Sequence, residues 1–224
     1  MNLLGEAIDW LSDPANQSGP DGIWARLLEH VWYTALIVAI AALITIPLGY
    51  LVAHTGRGRG LVVVTSGAAR ALPTLGVITL IALWLGIGLL APLIALVVLA
   101  IPSVLAGAYA GVEAVDRRTV DAARALGMSE WQILRQVEIP LGLPLLLGGL
   151  RAATLQVVAT ATLAAYVGAG GLGRFLFLGL KTQDYPMMLA ASLLVVALAL
   201  VLDLIFELLE RRVRGAMHLT AAPA

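Results

Sequence analysis

Apolar runs of about 20 residues recur along this chain, long enough for a helix to cross the roughly 30 Å hydrocarbon core of a bilayer. Such runs dictate fold class, because in lipid each backbone N–H and C=O must be paired within the protein. The chain is 60% hydrophobic and 12% charged, against about 25% charged in soluble domains. Its mean hydropathy is +0.95. The expectation is an all-α integral membrane protein. Val31–Ala53 forms the first span, with Trp32 and Tyr33 as interfacial anchors and Pro47 and Gly49 tolerated inside. Residues 61–90 are too long for one plain span, so the second is placed at 71–90 with 61–70 as a cytoplasmic lead-in. The others are predicted at 91–112, 141–167 and 186–208.

Residues 1–30 read as an amphipathic external arm: Leu3, Leu4, Ile8, Trp10 and Leu11, then the turn-rich SDPANQSGPDG, then a second apolar-faced run. Its acidic start carries no signal-peptide pattern. Orientation follows from Arg and Lys. With the N-terminus outside, Arg57, Arg59, Arg117, Arg118, Arg124, Arg135, Arg211, Arg212 and Arg214 are cytoplasmic, and only Arg26, Arg174 and Lys181 are external. Five spans then give N-out/C-in, with 31–210 as the membrane domain and 211–224 as a cytoplasmic tail.

One polar stretch, DAARALGMSEWQILRQVEIP from Asp121 to Pro140, interrupts the apolar runs. It divides into two short amphipathic helices. In the first, Val120, Ala123 and Leu126 or Gly127 share a face, and Gly127 marks the turn. In the second, Ser129 and Gln132 have capping-box spacing, Trp131, Ile133, Leu134 and Val137 form the apolar side, and Pro140 ends the helix. Small residues at 122, 123, 125 and 127 allow a partner's surface to come close. An ordinary cytosolic loop with helical turns has the same periodicity.

Several chemistries are excluded. Zero net charge gives no bulk field for nucleic acid, and the lack of cysteine rules out disulfides and thiolate ligands. The single lysine, Lys181, follows Leu180, so no P-loop is present. His30, His54 and His218 lie far apart without zinc spacing, and no Gly-x-Ser-x-Gly elbow occurs. A catalytic role is not expected.

Asp121-Ala122-Ala123, three residues, Gly127, nine residues, then Val137-Glu-Ile139-Pro140 resembles the EAA motif of ABC importer permeases. Asp121 stands where the family has Glu, and Val137 and Ile139 where it has Ile and Leu. Arg70-Ala-Leu-Pro73-Thr74, Ile101-Pro-Ser103, Gly111-Val-Glu-Ala-Val-Asp116 and Tyr166-Val-Gly-Ala-Gly-Gly-Leu-Gly173 are similar to the osmoprotectant (glycine betaine, carnitine, choline) subfamily. The likeness covers about residues 25–210. It implies the five-helix core of type I importers, shared with methionine-type permeases, and a cytoplasmic coupling segment at 113–140. Implied partners are two ATP-binding-cassette ATPase subunits that carry the ATP and Mg, a second permease (identical or related) and a separate extracytoplasmic substrate-binding protein. This chain itself would bind no cofactor. A methionine-like amino-acid permease is the nearest alternative, and a passive channel or scaffold is the rival class.

Candidate pathway residues are Arg70, Pro73, Thr74, Thr154, Thr162 and Tyr166. Arg70 at membrane depth reads either as a functional charge or as a snorkelling interfacial arginine. Thr154, Thr162 and Tyr166 share one helical face and Gln156 and Thr160 another; either set also reads as interhelical hydrogen bonding. Gly168, Gly170, Gly171 and Gly173 suggest a tight external turn. Glu207 and Arg211 have i, i+4 spacing for an ion pair.

Overall fold

The computed structural model describes residues 2–58, 60 and 72–220, and every secondary-structure element among them is helical. Helix α1 (Leu3–Ser12) is capped by the Asn2 side chain, which accepts from the Gly5 N–H at 3.1 Å. Asp13 caps the short α2 (Pro14–Gln17), whose first position is proline, a residue that has no N–H to leave unpaired there. Asn16 and Gln17 donate back to the Trp10 and Leu11 carbonyls at 3.0 Å, satisfying acceptors in the last turn of α1.

Helix α3 (Ile23–Thr55) contains the first predicted span. The second is only partly described. Helix α4 (Thr74–Leu85) stops five residues before the expected end, because Gly86, at φ +88°, closes it with an N–H bond to the Ala82 carbonyl. Arg70 and the lead-in 61–70 lie outside the described residues. Helix α5 (Leu90–Glu113) matches the third span. After it come α6 (Arg117–Ala125), α7 (Glu130–Ile133), a π-helical turn at Leu134–Glu138 and α8 (Ile139–Ala161), which tightens into a 3₁₀ turn at Thr162–Val167. Helix α9 (Gly173–Thr182) precedes α10 (Tyr185–Thr220). The polar end of α10 continues into the expected tail as far as Thr220, supported by the i, i+4 pairs Glu207–Arg211 and Glu210–Arg214.

Among the described residues, four helical stretches are long and apolar enough to cross a membrane: Ile23–Thr55, Leu90–Glu113, Glu130–Val167 and Tyr185–Ala216. Burial separates their roles. In the apolar window of α5, 61% of residues are buried, against 11% in α10. Exposed Leu193, Val196, Leu200, Val201 and Leu204 therefore give α10 a face suited to lipid.

The chain divides into two compact units: Met1–Ala39, Leu72–Leu99 and Thr154–Leu202 in one, and Ile40–Ala71, Ala100–Ala153 and Asp203–Ala224 in the other. In the first, Ile23, Leu172, Phe175 and Ala191 form a buried cluster covered by Trp10, Leu11 and Leu27. Trp10 meets Phe175 edge-on, with ring centroids 5.3 Å apart, so the N-terminal arm is docked through its aromatic while Leu4 and Ile8 stay exposed.

In the second unit, α5 and α8 approach at glycines. A methyl at Gly111 would fall 2.6 Å from the Gly142 carbonyl oxygen, and one at Gly107 would fall 2.7 Å from the Gly149 Cα. Only hydrogen fits at that separation, so the two backbones touch directly.

Candidate functional site: the polar segment between α5 and α8

The segment is built by local signals. Asp116 begins α6 by accepting from the Arg118 N–H at 2.9 Å. Val120 and Ala123 turn inward onto Val115 and Ile133, with Met128 and Val137 packed against them. Leu126, expected on that face, is 84% exposed. The chain leaves the helix there: the Gly127 N–H bonds to the Arg124 carbonyl and the Met128 N–H to the Ala123 carbonyl. Met128, instead of Leu126, therefore completes the apolar cluster. Gly127 has φ +84°, a conformation that L side chains rarely adopt.

Helix α7 carries both halves of the expected capping box. Ser129 Oγ accepts from the Gln132 N–H at 3.4 Å, and Gln132 Oε1 accepts from the Ser129 N–H at 2.8 Å. Pro140 does not end this helix as expected. The wider π turn at Leu134–Glu138 comes just before the proline, and helix runs on through it from Glu130 to Val167. A wider turn relieves the clash of the proline ring with the preceding turn's carbonyls. Asp121, Ala122, Gly127 and Pro140 are exposed, Val137 and Ile139 are half-buried, and Ala123 is buried.

Charge is concentrated on the same segment. Arg124 grips Glu130 with Nε and Nη2 at 2.7 and 2.9 Å and reaches Asp121 at 3.2 Å. The Glu130 carboxylate pushes the Arg124 pKa further up, keeping it a fixed cation. His54, in the last turn of α3, meets Glu138 through Nδ1 at 2.5 Å and Glu130 through Nε2 at 3.3 Å. Sequence reading missed that pairing, because 84 residues separate His54 from Glu138.

The pathway candidates do not all come together. Pro73 is the N-cap of α4 and Thr74 its first residue. Thr154 is buried, whereas Thr162 is half-buried and bonds the Ala159 carbonyl at 2.7 Å. Tyr166 is exposed, its ring 5.7 Å from Phe177. The 3₁₀ turn changes the angular step per residue after Ala161, which takes Tyr166 off the face that a continuous α-helix would give it. Gln156 donates to the Leu99 carbonyl at 3.2 Å, and Thr160 bonds the Gln156 carbonyl.

The glycine-rich turn is held from an unexpected side. Glu29 accepts from the Gly171 N–H and from Arg26 at 2.7 Å each, and from the Tyr33 hydroxyl at 2.5 Å. His30 is fully buried beside it. Its Nδ1 accepts from the Leu172 N–H and its Nε2 donates to the Val158 carbonyl. Arg26 also binds Asp21, and that hydrogen bond lowers the Asp21 pKa, with Arg174 adding to the effect. Arg151 on α8 pairs with Asp203 on α10, and Glu207 pairs with Arg211 as their spacing predicted. Among the described residues no cluster of His, Asp and Glu can hold a metal ion.

Long apolar helices, glycine-seamed packing and one polar helical insert define a multi-pass membrane protein. Residues 45–215 match the family described as binding-protein-dependent transport system inner membrane component, and the chain belongs to that family. It is 29% identical over 185 residues to the glycine betaine/carnitine/choline transport system permease protein OpuCB of Bacillus subtilis (strain 168), covering 83% of this chain and 85% of the relative. The osmoprotectant import permease protein OsmW of Salmonella typhimurium (strain LT2) is 34% identical, covering 81% and 87%. The carnitine transport permease protein OpuCB of Listeria monocytogenes is 32% identical, covering 88% and 90%. The fold is similar to an inward-facing structure of the MetNI methionine ABC transporter, with a TM-score of 0.72, 23% identity, and 83% and 93% of the chains covered.

Proposed function

We propose that this chain is the transmembrane permease subunit of an ABC importer for osmoprotectants: glycine betaine, choline, carnitine or similar quaternary amines. The observation that carries this reading is the α6–Gly127–α7 segment. It joins two close-packed membrane helices, exposes Asp121 and Ala122, and carries the EAA-like spacing. The names of the relatives support the substrate class.

In this reading five spans cross the membrane N-out/C-in, with residues 1–30 an external arm, 113–140 the cytoplasmic coupling segment and 211–224 the cytoplasmic tail. Two permeases, identical or related, present two coupling segments to two ATPase subunits, which hold the ATP and Mg. An extracytoplasmic binding protein delivers the substrate. Aromatics make up 6% of the chain, too few for the cages that usually hold quaternary ammonium groups. The permease is thus a low-affinity passage, with recognition on the binding protein. Transport proceeds by alternating access: the ATPase must bind the two permease states with different affinity, since only differential affinity shifts an equilibrium.

The test is ATPase activity of the reconstituted complex with binding protein loaded with betaine or with methionine. Stimulation by the betaine-loaded protein is expected. Stimulation by the methionine-loaded protein alone would replace the substrate class, and absence of any ATPase partner would overturn the reading of 121–140.

A further inference from the structure

The apolar cluster under the segment, Val115, Val120, Ala123 and Ile133, comes entirely from the segment and its immediate lead-in. It does not explain how the segment is attached to α3. Between Pro47, Tyr50 and Leu51 of α3 and Trp131, Leu134 and Ile139 lies an apolar cleft of about 430 Å³ instead of interlocked packing. The close contact is polar. Glu138 is 6% exposed, and it sits in the π turn, a feature frequent at functional sites. Its carboxylate lies 2.5 Å from His54 Nδ1, while Glu130 lies 3.3 Å from Nε2. A neutral imidazole has one N–H and can donate to only one of these carboxylates; the imidazolium donates to both.

Building on the coupling-segment reading, we propose that His54, as the imidazolium, is a positioning residue that clasps this segment to the end of α3. Other charged groups line the same small polar cavity: Glu113 from the end of α5, and Arg117 and Arg124 from α6. Arg124 also binds Glu130, so α6, α7 and α3 meet through one carboxylate. The end of a helix favours a cation, which adds to the hold. With both ring nitrogens engaged, His54 holds the start of α7 through Glu130 and the π turn through Glu138 at once.

The decisive measurement is amide protection across 130–138 by hydrogen exchange in the full-length permease in lipid nanodiscs. His54→Lys, which keeps a cation at this place, should stay protected like wild type, and His54→Gln should lose about tenfold in protection. In the complete transporter, substrate moved per ATP should follow the same order. Equal protection in wild type and His54→Gln would overturn the clasp. So would an unchanged transport-to-ATP ratio in all variants. Failure of the ATPase to co-purify would overturn the coupling reading alone, since exchange in the permease reports the clasp without a partner.

Discussion

Arg151 of α8 holds Asp203 of α10 through two parallel hydrogen bonds, Nε to Oδ1 at 2.6 Å and Nη2 to Oδ2 at 2.8 Å. The planar guanidinium matches the carboxylate in a way that lysine cannot. Both residues lie within predicted spans, where an unpaired charge is costly. Arg151→Ala strands Asp203 and should lower the apparent melting temperature in detergent by at least about 3 °C. Arg151→Ala/Asp203→Ala should recover part of that loss, because neither charge is then stranded. Heating followed by size-exclusion chromatography checks both; a double variant worse than the single would contradict the pairing.

Gly127 offers a cleaner test of the segment than any charged residue. At φ +84° it turns the chain between α6 and α7, and a side chain there costs about 1–2 kcal/mol of local strain. Gly127→Asp should abolish uptake while membrane insertion and expression stay normal. Vesicle transport set against membrane-fraction abundance separates the two; normal uptake would count against the coupling role.

Glycines in α8 should not behave alike. Gly142 lies against Gly111, and a methyl there would meet the Gly111 carbonyl oxygen at 2.5 Å, while one at Gly148 meets nothing within 4 Å. Gly142→Ala should therefore destabilise the protein. Gly148→Ala should be neutral or stabilising by up to about 1 kcal/mol, the helix-propensity difference. Thermal stability of the two variants side by side decides the matter.

Glu29 ties the glycine-rich turn to α3 through the Gly171 N–H. Glu29→Ala removes this acceptor together with one partner of Arg26 and one of Tyr33. Amides 168–174 should then exchange faster by about tenfold, the scale of a bond to a charged group, with little change at 117–125. Uniform change across both stretches would mean global loosening instead.

Sequence reading succeeded where the signal was local. The turn at Gly127 and the cap at Ser129 both depend on residues a few positions apart. The long helices follow from composition alone. The π turn escaped because proline at 140 reads as a stop unless the preceding turn is known to widen. The pairs His54–Glu138, Arg151–Asp203 and Glu29–Gly171 escaped for a different reason: packing brings together residues with no shared periodicity. The seam went unread, although Gly107 and Gly111 stand four apart in an apolar run, the spacing that lets two membrane helices approach closely. The face shared by Thr154, Thr162 and Tyr166 rested on continuous α-helix, and the 3₁₀ turn at Thr162–Val167 breaks that assumption.

The backbone contacts of Gly107 with Gly149 and Gly111 with Gly142 bear on how force travels. The polar segment is the bend of a hairpin whose two arms are α5 and α8, and these contacts rivet the arms together near the bend. A load applied at the bend cannot splay the arms, since there is no side-chain layer between them to compress. Between Gly107 and Glu113 on one arm and Ile139 and Gly149 on the other, the two helices move together, so displacement at the bend is shared by both arms instead of being taken up by one.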